Sequence, residues 1–377
     1  MPHPRRVLVA ADKFKGTLTS AEVGAAVGAG LRAGVPDVQV EVVPVADGGD
    51  GTLAAAVAAG YELVPVTASG PTGRPVQSGY ARRGGTAVVE LADAAGLSRL
   101  PDGTPQPMTA SSRGAGEVMA RAVEAGCTQV VLGIGGSACT DGGAGLVRAL
   151  GATVTDAQGD EIGEGGGCLD AVASLDLTGL RERMHGVEVL VACDVDNPLT
   201  GPRGAAAVYG PQKGAGAEQV ARLDVALGRW ADLVSAETGT DHRETPGAGA
   251  AGGVGFAALA LLGATTVPGI ELVLDLVGFR DRLDGADLVI TGEGALDEQT
   301  LHGKAPVGVA AVARQARVPV VAVCGSNTLE RGPLVAAGIE AVYPLTDVEP
   351  DLARCLRDGE RLLGLVGRRI ATDHLGP

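Results

Sequence analysis

Aromatic side chains are scarce in this chain of 377 residues: three Phe, four Tyr and one Trp amount to 2% of it. An interior of that make-up must be filled by Ala, Val and Leu, and the 60 glycines supply tight turns and close backbone approaches, which suits layered α/β packing. Positive charge is also short. A formal net charge of −15 excludes the basic stripe that a nucleic-acid partner needs and speaks against an anionic membrane surface. No apolar run approaches membrane-span length, and the apolar opening Val7–Ala11 is broken by Asp12 and Lys13 before it reaches the length of a signal peptide. The six cysteines fall singly, with no CxxC pair, which points to a reducing compartment, the cytoplasm, rather than to a secreted framework. No GxxxxGK[ST] run occurs, so a nucleotide site here is not a Walker loop. Lysine is rare as well: of 30 basic residues 26 are Arg, and the four lysines, Lys13, Lys15, Lys213 and Lys304, all lie beside or near a glycine in loop-like segments. A compact ammonium suits phosphate in a way a forked guanidinium does not reproduce.

What is present is an alternation of short β-branched runs and helical stretches. At the start, residues 6–11, a helix over 20–33, residues 39–45 and a helix over 52–59 read as βαβ units. Thr19-Ser20-Ala21-Glu22 carries a capping signature for the first helix. The tail repeats the grammar with strand-like 287–290, a helix over 306–316, and strands at 318–325 and 340–345. Between about 70 and 275, strand-like runs are separated by long Gly-rich connections, which fits a mixed sheet. A chain this long divides into two domains. The expected fold is α/β: a Rossmann-like or flavodoxin-like parallel-sheet lobe built from both chain ends (1–70 and 282–377), and an inserted mixed α/β lobe (71–281). Chemistry then belongs on the loops after the strands.

Those loops hold most of the chain's notable polar residues. ADKFKG (11–16) offers Asp12, Lys13 and Lys15 after the first strand; VADGGDGT (45–52) brings Asp47 and Asp50 to a helix start. Alone, the first reads equally well as a solvated loop with a helix cap and the second slightly better as a turn with an N-cap, but carboxylates beside bare amides also hold Mg²⁺ or orient a hydroxyl. At 110–126, Ser111 or Ser112 opens a helix with Arg113 in its first turn. A cation at the positive end of the dipole is poor capping and good anion capture. VVLGIGGSACTDGGAG (130–145) contains Gly135, Gly136 and Ser137, a phosphate-cradling pattern. VACDVDNPLTG (191–201) ends a strand with Asp194 and Asp196, acids placed for a general base and a metal ligand. GPQKG sets Lys213 between glycines, and TGEGALDEQTLHGKAP (291–306) supplies Gly292, Glu293, Asp297, His302 and Lys304, with His302 read as an ordinary loop residue. Gly133-x-Gly135-x-x-Ala138 and Gly247-x-Gly249-x-x-Gly252 formally match the dinucleotide fingerprint. The first is followed by too late a helix and the second follows Thr-Pro rather than a strand.

Taken in order, DKFKGTLTS, PVADGGDGT, SSRGAGE, GIGGSACTDGG, ACDVDNPL, GPQKGA, GAGAAGG and TGEGALDEQTLHGKAPVGVA resemble the successive motifs of the bacterial glycerate kinase family that lacks a P-loop. The resemblance runs from about residue 6 to 326. It implies a two-domain α/β enzyme that uses ATP with a divalent cation, Mg²⁺, to phosphorylate glycerate, commonly at the 2-hydroxyl. Two departures stand out: Ser-Ala-Cys-Thr-Asp replaces the family's Ser-Ala-Thr-Asn-Asp, and Asp-Lys-Phe-Lys replaces Asp-Ser-Phe-Lys. On this reading Asp194, Lys15 and Asp47 are catalytic. Ser112, Arg113, Asp12 and Lys304 bind glycerate; Gly135, Gly136, Ser137, Lys213, Gly292 and Glu293 bind nucleotide; Asp196 and Asp47 hold the metal. The rival readings are an NAD-dependent oxidoreductase and a noncatalytic two-lobed binding protein for a small acid. The sequence leaves a homo-oligomer open.

Overall fold

The computed structural model describes residues 4–376. Its strands, in chain order, are β1 (Arg6–Ala11), β2 (Gln39–Val42), β3 (Glu62–Ser69), β4 (Pro75–Arg83), β5 (Thr86–Glu90), β6 (Gln129–Gly133), β7 (Thr153–Thr155), β8 (Ser174–Asp176), β9 (Glu188–Ala192), β10 (Thr265–Val267), β11 (Leu288–Leu296), β12 (Val320–Asn327) and β13 (Ala341–Pro344). The chain divides into two compact units. The first comprises residues up to Asp47, Ala54–Gly60 and those from Gly269 on; the second comprises Gly48–Leu53 and Tyr61–Pro268.

The first unit is built on a sheet of five strands in the order β13-β12-β11-β1-β2, every pairing parallel. Alternate residues of each strand face opposite sides, and here both sides are apolar. Leu8, Ala10, Val289 and Ala322 belong to one core cluster, while Val7, Val9, Ile290 and Val323 belong to the other. The helix Ser20–Gly34 starts at a capping box between Thr19 and Glu22, as the local sequence predicts. From β1 the chain moves outward to β2, whereas from β11 it moves the other way to β12 and β13. The boundary between β1 and β11 is therefore a topological switch point, where open α/β sheets leave a crevice at the carboxyl ends of their strands.

The second unit holds a mixed sheet of six strands, β10-β9-β6-β5-β4-β3. The run from β10 to β5 is parallel and the β5-β4-β3 edge antiparallel. A small antiparallel pair, β7-β8, lies apart. Ala, Val and Leu dominate its core, and the single Trp, Trp230, is fully buried there with its indole N–H donating to the carbonyl of Gly142 at 3.0 Å.

Three stretches fall on the other side of the expected boundaries at 71 and 281, namely Gly48–Leu53, residues 61–70 and residues 269–281. Strand β3 pairs along its length with β4, which places residues 62–69 in the mixed sheet. The helix Gly269–Leu276 buries Ile270, Val273 and Leu274 with Leu8 and Val289, which places it in the parallel unit.

Candidate active site

The crevice at the switch point is a pocket of about 290 Å³, lined on its charged side by Asp12, Lys13, Lys15, Asp47, Glu293, Asp297 and Lys304. Elementary strand geometry explains the gathering. Asp12 to Lys15 leave the end of β1, whose last register pair is Ala11 with Gly292, and the amide of Asp12 donates to the carbonyl of Gly292 at 2.8 Å. Asp47 follows the segment after β2, held to β1 where Val43 donates to the carbonyl of Val9 at 2.9 Å. Glu293 lies one residue beyond that register, on β11. Three of the chain's four lysines therefore line one pocket.

The acids there crowd one another. Burial, and then the charge of Asp47, push the Asp12 carboxyl up to about 7, while Lys13 and its amide, donating to Asp12 Oδ1 at 2.7 Å, pull the other way. Burial also raises the Glu293 carboxyl, against the Thr300 hydroxyl that donates to its Oε1 at 2.6 Å and the ammonium of Lys304 at 3.6 Å from Oε2. Lys304 also stands 3.8 Å from Asp297, which caps the short helix Glu298–His302 by accepting from Gln299 N at 2.9 Å. His302 is exposed, its ring nitrogen 2.8 Å from the carbonyl of Glu298, an ordinary loop residue as expected. Gly292 has a packing reason of its own: a Cβ there would overlap the carbonyl oxygen of Val323 on β12. Among the described residues no ready-made cluster of three or more metal ligands occurs. Mg²⁺ does not ask for one, because it is commonly held by one or two carboxylates together with substrate phosphates, and the mutually repelling Asp12 and Asp47 suit that need.

The other expected site residues lie in the second unit. Lys213 is buried, its Nζ donating to Ser137 Oγ at 2.9 Å and to the carbonyl of Cys139 at 2.6 Å, and burial lowers its pKa. It ties the glycine-rich loop from within. Gly135 packs so closely on the Gly48–Gly49 turn that a Cβ would lie 2.7 Å from Gly49 Cα. Ser112 does not cap its helix. Its hydroxyl donates to Asp141 at 2.9 Å and accepts from Leu146 N at 2.9 Å. The cation that the helix dipole disfavours, Arg113, is answered by acids of the protein itself: Glu117 one turn on and Glu164, each at 3.2 Å. Asp194 and Asp196 stand exposed on the loop after β9, and both carboxylate oxygens of Asp196 accept from Arg203 at 3.2 Å. Asn197 fixes that turn, bonded to the carbonyl of Arg203 and to the Tyr209 hydroxyl.

Two buried acids were missed by sequence reasoning. Asp141 accepts from Ser112 N at 2.8 Å and from the amides of Gly143 and Gly145, and burial raises its carboxyl all the same. Glu90, at the end of β5, accepts from Gly51 and Leu53 N at 3.1 and 3.0 Å and pins the turn that carries Asp50. For Asp141 the available signal was an acid embedded in an otherwise small and apolar loop; for Glu90 there was none.

The dinucleotide patterns do not form dinucleotide sites. After β6 ends at Gly133, the next helix begins only at Ala144, and the second run has left-handed backbone at Ala251, Gly252 and Gly253. Comparison with known proteins agrees with the kinase motifs instead. Residues 7–374 match the Glycerate kinase family. The chain belongs to the glycerate kinase family. It is 43% identical over 343 residues to the glycerate kinase of Bacillus subtilis, with 90% of both chains covered. It is also 43% identical over 342 residues to the glycerate 2-kinase of Escherichia coli K12, again with 90% of both covered. A Salmonella typhimurium LT2 protein crystallised under the description glycerate kinase 2 has the same fold, with a TM-score of 0.85, 41% identity and 98% of both chains covered. Family membership makes this chain an enzyme, a phosphotransferase with an alcohol group as acceptor. No helix among the described residues is long and apolar enough to cross a membrane.

Proposed function

We propose that this kinase transfers the terminal phosphate of ATP to the 2-hydroxyl of D-glycerate, giving 2-phosphoglycerate, in the cytoplasm. The observation that carries the reading is the gathering of Lys13, Lys15 and Lys304 with Asp12, Asp47 and Glu293 at the switch point of a parallel sheet. Phosphoryl transfer asks the protein mainly to align the reacting oxygens and to offset charge on the moving group. Lys15 and Lys304 offset phosphate charge. Asp12 and Asp47 would hold Mg²⁺, whose contribution when bound is neutralisation of the phosphate oxygens. Asp196, the other acid expected to hold the metal, pairs with Arg203 at 3.2 Å on an exposed loop. Asp194 accepts the hydroxyl proton. Lys213, Ser137, Gly135 and Gly136 shape the glycine-rich loop, with Lys213 acting from beneath it rather than on the ligand. Six free thiols are in keeping with a reducing compartment.

Phosphorus NMR of the product made from ATP and D-glycerate tests donor, acceptor and position together. A 2-phosphoglycerate resonance supports the proposal; 3-phosphoglycerate, or no phosphate transfer, overturns it. For the proton acceptor, Asp194→Asn is expected to lower kcat by roughly 10²–10⁴-fold, the usual range for a general base, with the KM for ATP little changed. Near-normal turnover in the folded variant removes Asp194 from that role.

A further inference from the structure

The lining of the pocket is not all charged. Phe14, Leu345, Leu352, Cys355 and Leu356 also contribute to it, and none of the sequence motifs reaches the last four. Leu352 and Leu356 lie one turn apart on the helix Leu352–Arg357 and so share a face. They remain 54% and 53% exposed. A single exposed leucine needs no explanation, but an adjacent pair on the wall of a pocket that also holds three lysines is a contiguous apolar surface with a polar rim, the pattern of a ligand site. Gly294, Ala295 and Gly325, also in the lining, present almost no side chain.

Glycerate cannot use this wall, since each of its three carbons carries oxygen. A ligand that uses the whole lining is apolar at one end and polyanionic at the other. The sheet sets the order of the two ends. Leu345 follows β13 and the leucine helix comes next, whereas the lysines lie beyond β11 and β1. We propose that the purine base of the nucleotide donor lies across Gly294 and Gly325 against Leu345, Leu352 and Leu356, with its phosphates running along the strand ends to Lys15 and Lys304. At about 290 Å³ the cavity stands near the lower end of the usual range for small-molecule sites, roughly 300–1,000 Å³, which suits the base and sugar with the phosphates at its mouth. This deepens the kinase reading and rests on it for the choice of a nucleotide.

The test is calorimetric titration of the full-length protein with Mg-ADP and, separately, with inorganic tripolyphosphate, which has no base. In the double variant Leu352→Ser, Leu356→Ser, which adds no charge, the Kd for ADP is expected to rise about tenfold or more, from loss of apolar burial against the ring. The Kd for tripolyphosphate and the KM for D-glycerate stay unchanged. Val335→Ser, at an equally exposed residue (50%) outside the pocket, is the control and leaves all three unchanged. An ADP affinity equal to that of the parent protein, or a parallel loss for tripolyphosphate, overturns the assignment of the base while leaving the ATP donor standing. Failure of the parent protein to bind ADP overturns the donor as well. If the double variant does not fold, Leu356→Ser in the same assay decides, with an expected loss for ADP alone.

Discussion

Glu90 illustrates how a single buried carboxyl ties acidity to folding. Burial, reinforced by the charge of Asp50 and opposed by two amide donors, pushes it up to about 7 from the ordinary 4.5. Between these two values the folded chain keeps a proton that the unfolded chain has released, so stability falls as pH rises through that window and the penalty is complete above it. Glu90→Gln keeps an oxygen for the amides of Gly51 and Leu53 and has no proton to lose. It is expected to exceed the parent protein in stability at pH 8 by on the order of 1–2 kcal/mol, and to match it near pH 4.5, by thermal unfolding at both values. A gap independent of pH would refute the argument. At the same scale the lysine bias is informative: in a chain whose cations are nearly all arginines, three of the four lysines meet in one pocket and the fourth is buried beneath a glycine loop.

At the scale of strands and helices, β11 is the element on which the pocket depends, because it pairs with β1 on one side and β12 on the other. Gly292→Ala places a methyl group against the Val323 carbonyl and must part β11 from β12. A loss of about 2 kcal/mol or more is expected in denaturant unfolding, with a lower kcat, since Glu293 moves with the strand. An unchanged midpoint would mean that the strands can shift without cost. The β-branched runs of β1 and β11–β13 and the capping box at Thr19 were legible from sequence because period-2 patterning and a local side-chain bond are properties of neighbouring residues. So was the convergence of the loops after β1, β2 and β11, which follows from parallel topology. What stayed hidden depended on partners distant in sequence. The pairing of Arg113 with Glu164 could not be read from the sequence, and Ser112 reads as a cap until Asp141 takes its hydroxyl. Leu352 and Leu356 resemble any amphipathic surface helix until the pocket in front of them is seen.

For the molecule as a whole, each unit has its own buried core, and the only Trp lies in the second. Trp230 fluorescence therefore follows one unit while far-UV circular dichroism follows both. In a denaturant titration the two curves are expected not to superimpose; coincident transitions would mean that the cores melt as one cooperative body. The sheet order also has a bearing on how the protein is made. Strand β1 must wait for its neighbour β11, which begins at Leu288, although β1 itself ends at Ala11. At a synthesis rate of about 5–20 residues per second, the amino-terminal strands spend tens of seconds on the ribosome before that neighbour exists, by which time every strand of the mixed sheet has been synthesised. The inserted unit can thus be finished first, and a message cut short after its last strand would yield one complete sheet and two strands with an exposed, sticky edge.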